Sequence, residues 1–91
     1  GISPEAFALE QNFPNPFNPT TTIRYSLPHS SHVTLRVFNM LGQEVVTLVD
    51  ATEGAGLKTV TFDGSAVPSG VYAYQLRAGS FTQTRQLVNV K

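Results

Sequence analysis

The sequence predicts an antiparallel all-β sandwich, and three observations carry that reading. No stretch of ten or more residues repeats apolar side chains at helical spacing. Apolar and polar residues alternate instead in short runs, the period of a strand with one covered face. Turn-forming Gly, Pro, Asn, Asp and Ser separate the runs.

Taken in order, a short first strand is expected near Leu9–Asn12. Thr22–Leu27 follows, with Ile23, Tyr25 and Leu27 on one face, and Pro28 ends it because proline cannot donate to a ladder. Val33–Phe38 places Val33, Leu35 and Val37 together, and Asn39–Gln43 is a tight turn around Gly42. Glu44–Asp50 is apolar on both faces, as in a strand covered on two sides or an edge strand packed by a loop. After a flexible Glu53–Gly56 connection, Lys58–Phe62 turns Val60 and Phe62 inward. Two turns, Asp63–Ser65 and Pro68–Gly70, precede the strongest strand, Val71–Arg77, in which Tyr72, Tyr74 and Leu76 share a face. A hairpin at Ala78–Ser80 leads into a last strand from Phe81 to about Val90, where Leu87 interrupts the alternation and a bulge is expected near Arg85–Leu87. About seven strands at this spacing describe a seven-stranded immunoglobulin-like β-sandwich.

Composition narrows the function classes. The chain of 91 residues fits one small domain with little room for a deep substrate pocket. Its net charge is zero, but residues 1–63 hold six acids and three bases, whereas residues 64–91 hold Arg77, Arg85 and Lys91 and no acid. Three spaced cations are too sparse for a nucleic-acid surface and suit a soluble terminal strand. Without cysteine there is neither a disulfide framework nor a thiolate metal site. His29 and His32 flank a loop-like stretch with no acid at ligand spacing, and no cofactor is expected. Ser65, Ser69, His32 and Asp63 form no ordered hydrolytic set, and no phosphate loop or dinucleotide fingerprint is present. The chain reads as a protein without catalytic activity.

Phe13-Pro14-Asn15-Pro16-Phe17-Asn18-Pro19 is the most unusual stretch. Its prolines fix φ and bar it from an interior strand, so it is expected to lie over the sandwich, with Phe13 and Phe17 in the core and its asparagines on nearby backbone. Leu9–Ile23, which contains it, resembles the opening motif of the type A sorting domain of the type IX secretion system. Val37–Val45 resembles that family's second motif, Ser69–Leu76 its third, and Thr84–Lys91 its ending. The four stand in order over residues 9–91. Phe13 and Phe38 stand where the family commonly has tyrosine, and Gln86 where it commonly has lysine.

The resemblance implies a C-terminal module that directs a larger cargo across the outer membrane. It implies residues 1–8 as a linker from the upstream cargo domain and 9–91 as the sorting domain. Implied partners are outer-membrane translocon components and a cell-surface sortase that commonly removes the module. The implied route runs through the periplasm to the cell surface or the medium. The residues expected to meet the translocon are Gly70, Val71, Tyr72, Arg85, Val88, Val90 and Lys91. Pro14, Asn15, Pro16, Phe17, Asn18, Pro19 and Gly42 are expected to be structural. A terminal strand at a sheet edge would offer free N–H and C=O groups to a receptor strand, and the same edge leaves self-association open. Two alternatives belong to other classes: a carbohydrate- or surface-binding accessory module, and a plain structural spacer of a secreted enzyme. Two or three coplanar, exposed rings among Phe13, Phe17, Tyr72 and Tyr74 would favour the first of these.

Overall fold

The computed structural model describes residues 4–90. It is all-β, with no α-helix among the described residues. The strands are β1 (Ala8–Leu9), β2 (Thr20–Leu27), β3 (Ser31–Phe38), β4 (Glu44–Glu53), β5 (Gly56–Asp63), β6 (Gly70–Ala78) and β7 (Phe81–Asn89). They form two antiparallel sheets, ordered β1-β2-β5 and β4-β3-β6-β7. Strands β3–β4 and β6–β7 are hairpins; the connections β2–β3, β4–β5 and β5–β6 pass from one sheet to the other.

The alternation seen in the sequence becomes the core. Leu9, Ile23, Tyr25, Leu27 and Phe62 from the three-stranded sheet face Val33, Leu35, Val37, Tyr72, Tyr74, Leu76 and Leu87 from the four-stranded sheet, all essentially buried. Each such side chain contributes about 1.5–3 kcal/mol of burial. Strand β4 lies at the edge of its sheet and is only half covered, which accounts for its two apolar faces. Phe7, just before β1, stacks on Phe81 at 5.3 Å between ring centroids.

Several local expectations are corrected. Strands β2 to β6 extend further than the apolar runs, because ends such as exposed Thr20 and half-buried Gly56 still pair with Asp63 and Leu27. Asp63–Ser65 opens a 3-10 turn over Gly64–Ala66, which Asp63 caps by accepting from the Ser65 N–H at 2.9 Å. That N–H, with the rest of the Ser65 contact, holds the Asp63 carboxyl below its ordinary range. No bulge interrupts Arg85–Leu87: β6 and β7 pair in unbroken register from Gly70↔Asn89 to Ala78↔Phe81. Leu87 is on the inward parity with Arg85 and Asn89, and it is Thr82, Thr84 and Val88 that face outward. The register shifts lie in β3–β4, at Leu35/Arg36 and Val37/Phe38. His32 belongs to β3 rather than to a loop, and its Nε2 lies 2.9 Å from Asp50 Oδ1. Phe13 is not in the core; it is 79% exposed.

Tyrosine hydroxyls tie the layers together. Tyr25 on β2 donates to Glu53 on β4, bridging the sheets. Tyr74 on β6 donates to Glu10 O at 2.7 Å and accepts from Asn12 N–H at 2.8 Å. Burial, assisted for Tyr25 by Glu53, pushes the Tyr25 phenol well above its ordinary range. Burial also raises Tyr74, against the opposing influence of the Asn12 N–H and the Arg85 charge.

An unfolded tyrosine ionises near pH ~10, whereas these two stay protonated in the fold beyond that point. Their contribution is therefore fully present below pH ~10 and declines as pH rises above it. Urea midpoints should fall as pH rises above about 10, and Tyr25→Phe should flatten that fall while costing about 1–3 kcal/mol at neutral pH. An unchanged slope in the variant would contradict the assignment.

Candidate recognition site

The open end of the β6–β7 hairpin gathers most of the residues singled out in the sequence. Val71 stands opposite Val88, Gly70 opposite Asn89 and Tyr72 opposite Leu87. Val71 and Val88 share the solvent face, where Val71 is 37% exposed, and Val90, just beyond β7, is 45% exposed. Together they make a small apolar corner where the chain leaves the sheet.

The other named residues are employed differently. Gly70 has φ 153°, a backbone that L side chains rarely adopt, so glycine is needed to enter β6 there. Tyr72 is buried and donates to Pro68 O at 2.6 Å, which fixes the turn before β6. Arg85 is half-buried, and its Nε donates to Leu9 O at 2.6 Å across the side of the sandwich. Lys91 lies outside the described residues. Gly42, at φ 80°, closes the β3–β4 turn by donating to Asn39 O at 3.0 Å. In that turn the Asn39 side chain accepts from Leu41 and Gln43 N–H, and Met40 and Leu41 are exposed.

The proline-asparagine segment forms a closed loop that reaches from one sheet to the other. Its base is shut by Phe13 and Thr22, which exchange two backbone hydrogen bonds at 3.0 Å. Within the base, Asn12 Nδ2 donates to Thr21 Oγ1 at 3.0 Å, and Thr21 Oγ1 donates to Pro14 O at 2.8 Å. The tip then meets the end of β7. Asn15 Oδ1 accepts from Val88 N–H at 2.8 Å, Phe17 N–H donates to Val88 O at 3.0 Å, and Val90 N–H donates to Phe17 O at 2.9 Å. Pro14, Pro16, Asn18 and Pro19 are exposed, and Pro19 O accepts from Gly64 N–H at 2.7 Å. Strand β7 is thus at a sheet edge, but its outer backbone is occupied from Val88 to Val90. The free edge expected from the sequence is corrected on this point.

Three residues complete the junction, and the sequence reading missed two of them. The Phe17 ring is buried edge-on to Phe62, 5.9 Å between centroids. Buried Asn89 donates through Nδ2 to Gly64 O at 3.1 Å and Pro68 O at 3.2 Å. A β-carbon on residue 64 would lie 2.9 Å from both Asn89 Oδ1 and the Phe17 ring, so Gly64 is there to let them close. The signal for Asn89 was legible: it is a polar residue on the same parity as buried Leu87.

Among the described residues no three His, Asp or Glu side chains cluster to hold a metal ion. His29 and His32 are separated in role, the first edge-on to Phe7 at 5.3 Å and the second beside Asp50.

The comparisons with known proteins bear on what such a corner is for. The family model described as "Secretion system C-terminal sorting domain" matches residues 11–91. The chain belongs to that family. Its match spans the proline-asparagine loop, the Gly42 turn, the Gly70 strand entry and the terminal strand. The sorting domain is the C-terminal signal for type IX secretion, and the family is one of sorting signals rather than of catalysts. It implies a cargo in the same chain, the type IX machinery as partner, and export to the cell surface or beyond. A search of curated proteins found no match.

In the sorting domain the junction should be sensitive to single atoms. Gly64→Ala should cost about 1–3 kcal/mol through overpacking, and Phe17→Ala about 3–5 kcal/mol through the cavity it leaves. Chemical denaturation measures both. A neutral Gly64→Ala would show that the three residues do not meet.

Proposed function

We propose that the type IX translocon reads the sorting domain at the open end of β6–β7, through the apolar corner of Val71, Val88 and Val90. On this reading Gly70 and Tyr72 shape the corner, Arg85 braces the strand from within, and Lys91 adds a terminal charge. The observation that carries it is the convergence of two separate sequence motifs, Ser69–Leu76 and Thr84–Lys91, on one exposed apolar surface at the chain's end. A small exposed apolar surface beside a strand edge fits a transient protein partner.

The finer steps belong to the same proposal. The cargo precedes residue 9, with residues 1–8 as its linker and the natural site for sortase removal. The domain folds in the periplasm before it crosses the outer membrane and has no catalytic step of its own. Three strands against four, with sheet-crossing connections, support an immunoglobulin-like arrangement.

The carbohydrate-platform reading needed exposed rings in one plane. Of its four candidates, Phe17, Tyr72 and Tyr74 are buried and Phe13 alone is exposed. The spacer reading predicts export without the domain.

The test is a periplasmic reporter carrying these residues in a host with the secretion machinery. The intact fusion should reach the surface or medium. Removal of Val88–Lys91 should leave the reporter in the periplasm, and so should Val71→Glu, whose exposed position keeps the fold intact by circular dichroism. Undiminished export of both variants would overturn the reading.

A further inference from the structure

We propose that the Pro14–Pro19 loop is a removable plug, seated on the edge of β7 in place of an extended, aromatic-bearing segment of a partner protein that binds there by strand addition. This deepens the reading of β7 as the end that is recognised.

The hydrogen bonds define the edge. Val88 directs both its N–H and C=O outward, to Asn15 and Phe17, and Val90 directs its N–H to Phe17. Gln86 directs its C=O outward too, to Gln11 Nε2 at 2.6 Å. Alternation along an antiparallel strand turns the backbone groups of Thr82 and Thr84 to the same side, while Leu87 and Asn89 bond inward to β6. One continuous outer edge therefore runs the length of β7, and the loop holds its last part.

The manner of holding is that of a ligand rather than of a sheet member. Phe17, which lies outside every strand, makes an isolated parallel bridge to Asn89, the last residue of β7. One ring fills a socket beside Phe62 and Gly64. One side-chain amide, at Asn15, stands in for the next backbone acceptor. The loop's base does not depend on its tip: Phe13 is bonded to Thr22, and Asn12 to Tyr74 and Thr21. The tip can lift while β1 and β2 keep their places.

The plug also specifies its replacement. A partner segment would run parallel to β7, place an aromatic side chain in the Phe17 socket, and present a hydrogen-bond acceptor to Val88 N–H. Backbone pairing supplies affinity in such strand addition, and the socket supplies selectivity.

Amide hydrogen exchange on the intact chain tests this without any export machinery, so its outcome is separable from that of the reporter fusion. Lifting of the tip exposes Val88 and Val90 but not Leu87 and Asn89, so the first pair should exchange at least about tenfold faster than the second. Exposed Asn15→Ala, which leaves the core untouched, should speed Val88 by a further ~2–10-fold, the worth of one hydrogen bond. In that variant an excess of a synthetic peptide with the Phe13–Pro19 sequence should slow Val88 and Val90 again. Four amides exchanging at one common rate in both proteins would overturn the plug. A peptide without effect on Val88 and Val90 would overturn the strand-addition site.

Discussion

The meeting of Phe17, Gly64 and Asn89 is the contact on which the arrangement of the chain's end depends. These residues come from the loop before β2, the turn after β5 and the last residue of β7, so one small volume joins the two sheets and the terminus. The absence of a side chain at Gly64 is what lets an aromatic ring and a carboxamide share that volume. Asn89 Nδ2 reaches the Gly64, Val67 and Pro68 carbonyls, the Val67 one most distantly, while its buried Oδ1 accepts no hydrogen bond from the described residues. An unmet acceptor costs about 1–3 kcal/mol, and each bond made by the amide returns about 0.5–1.5 kcal/mol. The balance at Asn89 is therefore close to even, and burial of the Phe17 ring, at about 1.5–3 kcal/mol, decides that the junction holds.

That junction is one of several contacts that secure β7 as an edge strand. Strand β7 receives a full ladder from β6 on one side only. On the other side it is secured at intervals, by Phe7 on Phe81, Arg85 on Leu9, Gln11 on Gln86 and the loop tip on Val88 and Val90. All of these contacts come from the first part of the described chain. The strand is protected from indiscriminate pairing, the usual hazard of an edge, by a cover that is lightly bonded rather than by a further strand.

Much of this was legible from local pattern. Period-two alternation in Thr22–Leu27, Val33–Phe38 and Val71–Arg77 located three strands and the inward faces that build the core, because side-chain direction in a strand is a local property. The same rule misled at Leu87, where an inward leucine after polar inward positions looked like a bulge. Phe13 and Phe17 show the limit most clearly. They have the same residue type and neighbouring prolines, yet one is exposed and the other buried. What separates them is that Phe17 meets Phe62, Gly64 and Asn89, all far along the chain, and no local signal encodes that. The candidate corner was visible only as two motifs; that Val71 faces Val88 is a fact of register. The partnership of Gly64 with Asn89 likewise exists only in three dimensions.

A sorting signal has to be stable enough to survive until it is read and open enough to be read. The structure has both kinds of feature: Tyr25, Tyr74 and Phe17 are buried in the core, while Val71 and Val90 leave apolar surface exposed beside the end of β7. The most direct test of the central contact is a nuclear Overhauser spectrum of the domain in solution. Cross-peaks from the Phe17 ring to the α-protons of Gly64 and to the side-chain amide of Asn89 are predicted. A Phe17 ring that shows contacts only to its neighbours between Asn15 and Pro19 would contradict the account.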